Sequence, residues 1–260
     1  MKQTPAFMKV TKGMFSVQFS WTMWFLAIML GVNILNIIKV IYQGGGVDDY
    51  YLSVYIAANI YMFIIGLIAV YFLPHFVDKG VTRKAAFKGT ILAAGGLSVV
   101  IPILSYVLSA IVTFIVKMIA DVNFHIPNLN EVIFKAEGHI IGDLIQIIVL
   151  SPYVEPQTSW LISILLFSFN IFIYYVIGLF ISVSFYRFGP TIGLGAIGLS
   201  VIFLILEDTL LRISLHLPVF KRFAMFENLP YLLAILFTIG VVVLIIGLIR
   251  LISKRAPIKI

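Results

Sequence analysis

This chain of 260 residues has little of what a soluble enzyme normally uses for chemistry. It has no cysteine, so disulfides, thiolate metal sites and cysteine nucleophiles are excluded. Charged residues make up 11% of it, whereas an ordinary soluble domain has about 25%. It also lacks the Gly-x-x-x-x-Gly-Lys-Ser/Thr loop that binds nucleotide phosphates. We therefore expect no catalytic residue, no metal site and no cofactor in this chain.

Apolar residues are what the chain has in abundance. They make up 62% of it, and the mean hydropathy is +1.11. A run of about 20 apolar residues crosses a bilayer as a helix, and several such runs follow one another here. The sequence predicts an all-α, polytopic membrane protein with a single domain over residues 1–260. The predicted spans are residues 20–42, 52–73, 90–117, 159–186, 190–211 and 230–252.

The net charge of +7 comes from basic residues near the ends of the apolar runs. With both termini in the cytoplasm, most of the 18 Lys and Arg residues fall on the inner side, where Asp78 is the only acidic residue. Cytoplasmic loops of membrane proteins carry this excess of Lys and Arg. The pattern indicates contact with lipid head groups rather than nucleic acid. It predicts a multi-pass protein of the cell membrane with both termini cytoplasmic.

Residues 1–19 precede the first span and have a helical pattern of their own. The apolar residues that recur at helical spacing on one face are Phe7, Val10, Met14, Val17 and Trp21, and those on the opposite face are Lys9, Lys12, Ser16 and Ser20. The pattern predicts an amphipathic helix that lies along the inner membrane surface. A frayed basic tail is the alternative.

Residues 120–158, between spans 3 and 4, form a polar segment that is longer than a usual connection. Within it, EGHIIGDLIQIIVL places isoleucines and leucines on one helical face, which predicts a short outer helix lying on the membrane or on neighbouring spans. His139 and Asp143 are four residues apart and could share a metal ion. Because most such pairs are solvated surface residues, no metal site is predicted.

The sequence VDKGVTRKAAFKGT, residues 77–90, concentrates positive charge between two spans. Its cations are Lys79, Arg83, Lys84 and Lys88. Glycines on both sides permit tight turns around a short helix, and Val and Phe side chains are interleaved with the charges. Two interpretations remain open. The charges fix the topology of the loop, or the stretch is a docking element that attracts an acidic partner and inserts apolar side chains into it.

The stretch GVTRKAAFKGT resembles a Gly-x-Thr-Arg-Lys-x-x-Phe-x-x-Gly element that follows a span in permease subunits of type-2 ATP-binding cassette (ABC) exporters of Gram-positive bacteria. At the close of span 4, FISVSFYRFGPTIG resembles a Phe-Tyr-Arg-Phe-Gly element at the matching place in those permeases. Six spans, cytoplasmic termini and an N-terminal interfacial helix are similar too. The outer segment 120–158 departs from the family, in which the loop between spans 3 and 4 is usually shorter.

This resemblance implies a function, a set of partners and a coupling site. The chain is expected to form a translocation pathway together with a second permease chain, identical or related, above two cytoplasmic ATP-binding subunits. ATP and Mg²⁺ then belong to those partner subunits. The resemblance places the contact with the ATPase on Gly80, Thr82, Arg83, Lys84 and Phe87.

Four asparagines are isolated polar residues within the predicted spans. Asn33 and Asn36 share a face of span 1, while Asn59 and Asn170 lie in spans 2 and 4. Amides in hydrocarbon are costly unless they are paired, so they are expected to face other helices. They either line a translocation path or form hydrogen bonds between helices. No acidic residue is expected at mid-depth in a span, which disfavours a carrier driven by protons or sodium.

The sequence LEDTLLR, residues 206–212, places Asp208 and Arg212 four residues apart. This spacing predicts an ion pair at the outer end of span 5, or the start of a re-entrant outer segment. The stretch is also similar to the Glu-Glu-x-x-x-Arg signature of CAAX-type intramembrane proteases. Their site needs further histidines from later helices, and after Arg212 this chain has only His216. An enzyme is therefore disfavoured.

The function expected from the sequence is the transmembrane subunit of an ABC exporter. Two alternatives stay open. One is a stand-alone membrane protein, such as a secondary carrier or an intramembrane enzyme. The other is a non-transporting sensor or immunity subunit of an exporter complex.

Overall fold

The computed structural model describes residues 5–119, 123–125, 151–219, 221–226 and 229–254. Within these residues, six helices are long and apolar enough to cross a membrane, which confirms the predicted all-α, polytopic membrane fold. The helices are α1 (Ala6–Gln43), α2 (Tyr50–Ala69), α3 (Phe72–Asp78), α4 (Arg83–Ile119), α5 (Trp160–Phe188), α6 (Pro190–Ser214) and α7 (Tyr231–Ser253). The short helix α3 continues α2, so that the two together form one span.

Successive spans run in opposite directions, which gives the bundle two chemically different ends. One end, defined by Lys84, Arg187 and Arg250, is called the basic end. There the Arg187 guanidinium joins α5 to α7, because its Nη1 donates hydrogen bonds to the carbonyl oxygens of Leu251 and Ile252 at 3.1 and 2.9 Å. The opposite end contains the α1–α2 and α6–α7 connections and is called the loop end.

Helix α5 is the centre of the bundle and packs against α2, α4, α6 and α7. Its closest approach is to α2, which runs parallel to it. A Cβ atom on Gly66 would lie less than 3.0 Å from the carbonyl oxygen of Tyr175, and one on Gly178 less than 3.0 Å from the carbonyl oxygen of Phe63. Both positions therefore require glycine, because any side chain would force the two backbones apart.

The first turns of α1 differ from the interfacial helix predicted for residues 1–19. Helix α1 is uninterrupted from Ala6 to Gln43, a length of about 57 Å at about 1.5 Å per residue. Val10 and Met14 are buried, and a Cβ atom on Gly89 of α4 would lie 2.5 Å from Cγ1 of Val10. Two residues of the predicted apolar face are thus packed inside the protein, whereas Val17 and Trp21 of the same face are exposed.

Helix α2 begins at the loop end with a capping carboxylate. Oδ1 of Asp49 accepts a hydrogen bond of 2.7 Å from the backbone N–H of Leu52, as in a typical N-cap. Burial raises the pKa of Asp49 above its ordinary value, the N–H of Leu52 acts in the opposite direction, and the neighbouring Asp48 raises the pKa further. The start of α2 is therefore fixed by a poorly solvated carboxyl group.

The outer segment predicted for residues 120–158 is described at its two edges. Strand β1 (Gly46–Asp48) pairs in parallel with strand β2 (Asn123–His125) at the loop end. The predicted outer helix, with His139 and Asp143, lies outside the described residues. Just before α5, the chain enters the bundle, where Ser151 and Tyr153 are both buried.

Candidate functional site

The turn between α3 and α4 lies at the basic end, and its backbone explains the glycine in the sequence. Helix α3 ends in a Schellman motif, in which the N–H of Gly80 donates to the carbonyl of Val77 at 2.8 Å and the N–H of Val81 donates to that of Phe76 at 3.0 Å. Gly80 has a φ of 77°, in the left-handed region that favours glycine. The chain therefore reverses direction in a few residues.

Thr82 begins α4 immediately after this reversal. Its Oγ1 accepts a hydrogen bond of 3.2 Å from the backbone N–H of Ala85, which is the role of an N-cap. Helix α4 consequently starts at Arg83, well before the predicted start of span 3. The short helix expected between Gly80 and Gly89 does not form, because Gly89 lies inside α4.

The five residues predicted for coupling fall into two groups at this turn. Gly80, Thr82 and Lys84 are exposed, whereas Arg83 and Phe87 are half-buried. The exposed cations on the turn and the first helical turns after it are Lys79, Lys84 and Lys88. The turn therefore has an accessible basic surface, and the half-buried Arg83 and Phe87 form a base that attaches it to the bundle.

Phe87 fixes that base to the rest of the bundle. The guanidinium of Arg250 on α7 lies over the Phe87 ring, 5.6 Å from its centroid, a cation–π distance. Arg83 and Phe87 also line a cavity of ≈ 30 Å³ between α3, α4, α5 and α7. Among the described residues, Nε of Arg83 and Nη1 of Arg250 are buried without a hydrogen-bond partner. A displacement of the turn therefore acts on α7 as well as on α4.

The four predicted asparagines do not form one strip along the bundle. Asn33 donates from Nδ2 to the carbonyl oxygen of Asp48 at 3.1 Å, which ties α1 to the α1–α2 connection. Asn36 is exposed in a groove of ≈ 350 Å³ at the loop end. Asn59 and Asn170, in contrast, come together inside the bundle.

Asn59 and Asn170 hold the segment that enters the bundle before α5. Nδ2 of Asn59 donates to Oγ of Ser151 at 2.8 Å. The Tyr55 hydroxyl donates to the carbonyl oxygen of Pro152 and accepts from Nδ2 of Asn170 at 2.8 Å. Asn59 lies nine residues inside α2, a depth of about 14 Å. The two amides and the phenol thus form hydrogen bonds that hold Ser151 and Pro152 deep inside the bundle, far from the loop end.

Helix α6 brings charged residues to the same depth. Glu207, Asp208 and Arg212 are 4%, 4% and 0% exposed. Nε of Arg212 donates to Oδ2 of Asp208 at 2.8 Å, and Nη2 donates to Oδ1 at 3.3 Å, so the i,i+4 ion pair forms inside the bundle. The acidic residues lie about 10 Å from the end of α6. The acidic residues are therefore buried in the loop-end part of α6 rather than at its middle, and α6 continues to Ser214 without a re-entrant break.

Tyr174 of α5 connects these two sets of residues. Its hydroxyl lies close to that of Ser151, and Glu207 and Asp208 are near enough to act on it electrostatically. Arg212 acts in the same way on Tyr55. We call the combined set the polar centre. It consists of Tyr55, Asn59, Ser151, Pro152, Asn170, Tyr174, Glu207, Asp208 and Arg212.

Two acceptor atoms of the polar centre are left without partners among the described residues. They are Oε1 of Glu207 and Oδ1 of Asn59, both buried. Asp208 and Arg212 neutralise each other, so Glu207 is the carboxyl group that lacks a neighbouring cation in this set. A buried acceptor without a donor is costly. The polar centre is therefore suited to a ligand that brings a proton donor or a positive charge.

Part of the polar centre is predictable from the sequence. Asn59, Asn170 and the Asp208–Arg212 pair are predicted, each for a separate reason. Glu207 is not among the predicted residues, although its position beside Asp208 inside an apolar helix is a sequence signal for a buried carboxyl group. Ser151 and Tyr174 carry no sequence signal, because only the folded chain brings them together.

No group of three or more His, Asp and Glu side chains that could hold a metal occurs within the described ranges. The chain matches no protein-family model, no curated protein and no solved structure. The chemistry of its two charged regions, the basic α3–α4 turn and the polar centre, is therefore the basis for assigning a function.

Proposed function

We propose that this chain is the transmembrane subunit of an ABC exporter in the cell membrane, with both termini in the cytoplasm. In this proposal, two such chains, identical or related, form the translocation pathway. A separate cytoplasmic ATPase binds at the α3–α4 turn and supplies ATP and Mg²⁺ to the complex.

The observation that supports the proposal most strongly is that the basic α3–α4 turn is exposed and is also firmly attached to the bundle. Lys84 is exposed and can attract an acidic surface, while Phe87 is held by Arg250 from α7. A site that receives force from a partner needs both an accessible contact and a firm attachment. The α3–α4 turn has both, and its sequence resembles the coupling element of the exporter permeases.

Helix α4 offers a route for the resulting movement. It is uninterrupted from Arg83 to Ile119, a length of about 56 Å, and packs along α1, α2 and α5. Closure of the ATPase pair would displace the turn and shift these helices as rigid bodies. Coupling requires that the ATPase contact the turn differently in its two states.

A single-cysteine cross-linking experiment tests the proposal, because the natural chain is free of cysteine. Lys84→Cys carries a photoactivatable maleimide in native membranes. Lys117→Cys, exposed near the opposite end of the same helix, is the matched control. We expect position 84, and not position 117, to cross-link to a polypeptide that contains a Gly-x-x-x-x-Gly-Lys-Ser/Thr loop and hydrolyses ATP. Equal cross-linking from both positions, or no such polypeptide at position 84, would contradict the proposal.

The polar centre favours one alternative, a secondary carrier. Glu207 is a buried carboxyl group without a cation partner among the described residues, and such residues mark ion and proton pathways in carriers. Purified chain in liposomes, without any ATPase, distinguishes the two functions. Solute uptake that follows an imposed proton or sodium gradient and is lost in Glu207→Gln would establish the carrier. The exporter proposal predicts no such uptake.

A further inference from the structure

A groove on the lipid-facing surface leads towards the polar centre. Helices α2 and α6 form its walls, and α5 forms its floor. It consists of two adjoining volumes of ≈ 890 and ≈ 140 Å³, which share Phe63, Ile181 and Ile197. Its lining is largely apolar, so the groove itself suits a hydrocarbon chain.

Helical periodicity shows where the groove ends. Ile197 and Leu204 of α6 line it, and Glu207 is the next residue on the same helical face. Tyr174 of α5 lines the smaller volume, and Asn170 is the next residue on that face, one turn towards the loop end. The groove-lining faces of both helices therefore continue directly into the polar centre.

At this end of the groove, Glu207 is the carboxyl group that has no neighbouring cation among the described side chains. Arg212 is occupied by Asp208, and the other polar-centre groups from α2 and α5 are neutral tyrosines and asparagines. Oε1 of Glu207 and Oδ1 of Asn59 are buried acceptors without donors. An ammonium group supplies both the positive charge and the N–H donors that these oxygens lack.

We propose that the groove and the polar centre together bind a cationic amphiphile, with its alkyl chain in the groove and its protonated amine at Glu207. This inference rests on the proposed function, for which it names the substrate class. A bilayer phospholipid does not meet the same requirements, because its phosphate is anionic and its head group stays at the interface. The polar centre lies about 10–15 Å inside the helices.

The test uses purified chain in an uncharged detergent, without any ATPase. Ile197→Cys, in the groove wall and 40% exposed, is reacted with a maleimide in the presence of dodecylamine, dodecanol or dodecanoate. The three probes share one alkyl chain and differ in the head group. We expect dodecylamine to slow the reaction by about tenfold when the site is about nine-tenths occupied, and the other two to slow it much less at the same concentration.

Two variants control this experiment. Ile239→Cys lies on α7 and is 50% exposed, so it reports changes in the micelle, and its reaction should be equally fast with all three probes. Glu207→Gln should abolish the difference between amine and alcohol, whereas Asp78→Asn at the basic end should preserve it. Should Glu207→Gln fail to fold, the head-group comparison in the chain with Glu207 intact still decides the matter.

Each outcome bears on a separate part of the account. Equal protection by the three probes, or none by any of them, overturns the proposed amine site but leaves the ATPase cross-link at position 84 untouched. Protection by dodecylamine without that cross-link overturns the exporter and leaves the amine site in place.

Discussion

The α3–α4 turn and the polar centre both concentrate charge, but they are built in opposite ways. The turn uses residues that are adjacent in sequence, and its lysines, such as Lys84 and Lys88, are exposed. The polar centre draws on α2, α5, α6 and the segment before α5, and its charged residues are buried. One is a local and solvated surface, and the other is an interior assembled from distant parts of the chain.

Exposed and buried charged residues give different information about function. An exposed lysine has almost no effect on the stability of the fold. Its presence alone therefore does not show whether it sets the membrane topology of the loop or binds a partner. A buried carboxylate costs several kcal/mol unless it is compensated, so a buried carboxyl group implies protonation, a compensating partner or a ligand. The strongest structural effects should therefore come from the polar centre, and the strongest effects on partner binding from the turn.

Arg212→Met should have the largest effect on stability. It leaves Asp208 buried without its cation, and we expect a loss of about 3–5 kcal/mol in the free energy of unfolding, measured by chemical denaturation in detergent. The double variant Asp208→Leu with Arg212→Met removes both charges and should recover much of the loss. If the single and double variants are equally unstable, the loss of stability does not come from the unpaired charge of Asp208.

Gly178→Ala should come next, because it separates the two helices that carry the polar centre. Its Cβ would lie less than 3.0 Å from the carbonyl oxygen of Phe63, so α2 and α5 must move apart at a cost of about 3 kcal/mol. Gly198→Ala on α6, which has no atom within 4 Å of the added methyl group, is the control and should be nearly neutral. Thermal unfolding in detergent provides the measurement. Similar melting temperatures for both variants would contradict the close α2–α5 contact.

Tyr55→Phe should have a smaller effect. It removes the donor to Pro152 and the acceptor for Asn170, at an expected cost of about 1–3 kcal/mol. Tyr71→Phe makes the same change at a side chain that is 73% exposed and should leave the stability unchanged. Proteolysis within residues 151–158 should also become faster in Tyr55→Phe, since those hydrogen bonds hold the segment in place. An unchanged cleavage rate would mean that other contacts hold it.

Lys84→Gln with Lys88→Gln should have the smallest effect on stability, within about 0.5 kcal/mol, because both side chains are exposed. Its effect should appear in partner binding, as weaker cross-linking of the ATPase from Thr82→Cys. Lys39→Gln with Lys117→Gln makes the same charge change in the loop-end halves of α1 and α4 and should leave cross-linking unchanged. If both pairs behave alike, the basic turn serves topology rather than docking.

The fold was largely predictable because long apolar runs leave few alternatives. The six spans, the glycine turn at Gly80 and the Asp208–Arg212 spacing all follow from local patterns. The continuity of α1 did not follow, because the apolar face of Val10 and Met14 has the same periodicity whether a membrane or α4 covers it. The sequence predicts a later start for α4, because the apolar run that begins near residue 90 is a stronger signal than the helix-capping residue Thr82.

The polar centre was beyond local reasoning for a different physical reason. Its members lie in separate segments, and only the packing of α2 and α6 on α5 brings Asn59, Asn170 and Glu207 to one depth. The segment at Ser151 follows a long polar connection, which gave no reason to expect entry into the bundle. Each polar residue looked like an isolated packing group until the partners were known.

Side-specific labelling shows which side of the membrane the α3–α4 turn faces, and an ATPase reaches this turn only from the compartment that contains ATP. Lys84→Cys and Lys117→Cys are treated with a membrane-impermeant maleimide in intact cells and in inverted vesicles. We expect position 117 to react in intact cells and position 84 to react only in inverted vesicles. Reaction of position 84 in intact cells would place the basic end outside the cytoplasm and contradict the proposed function.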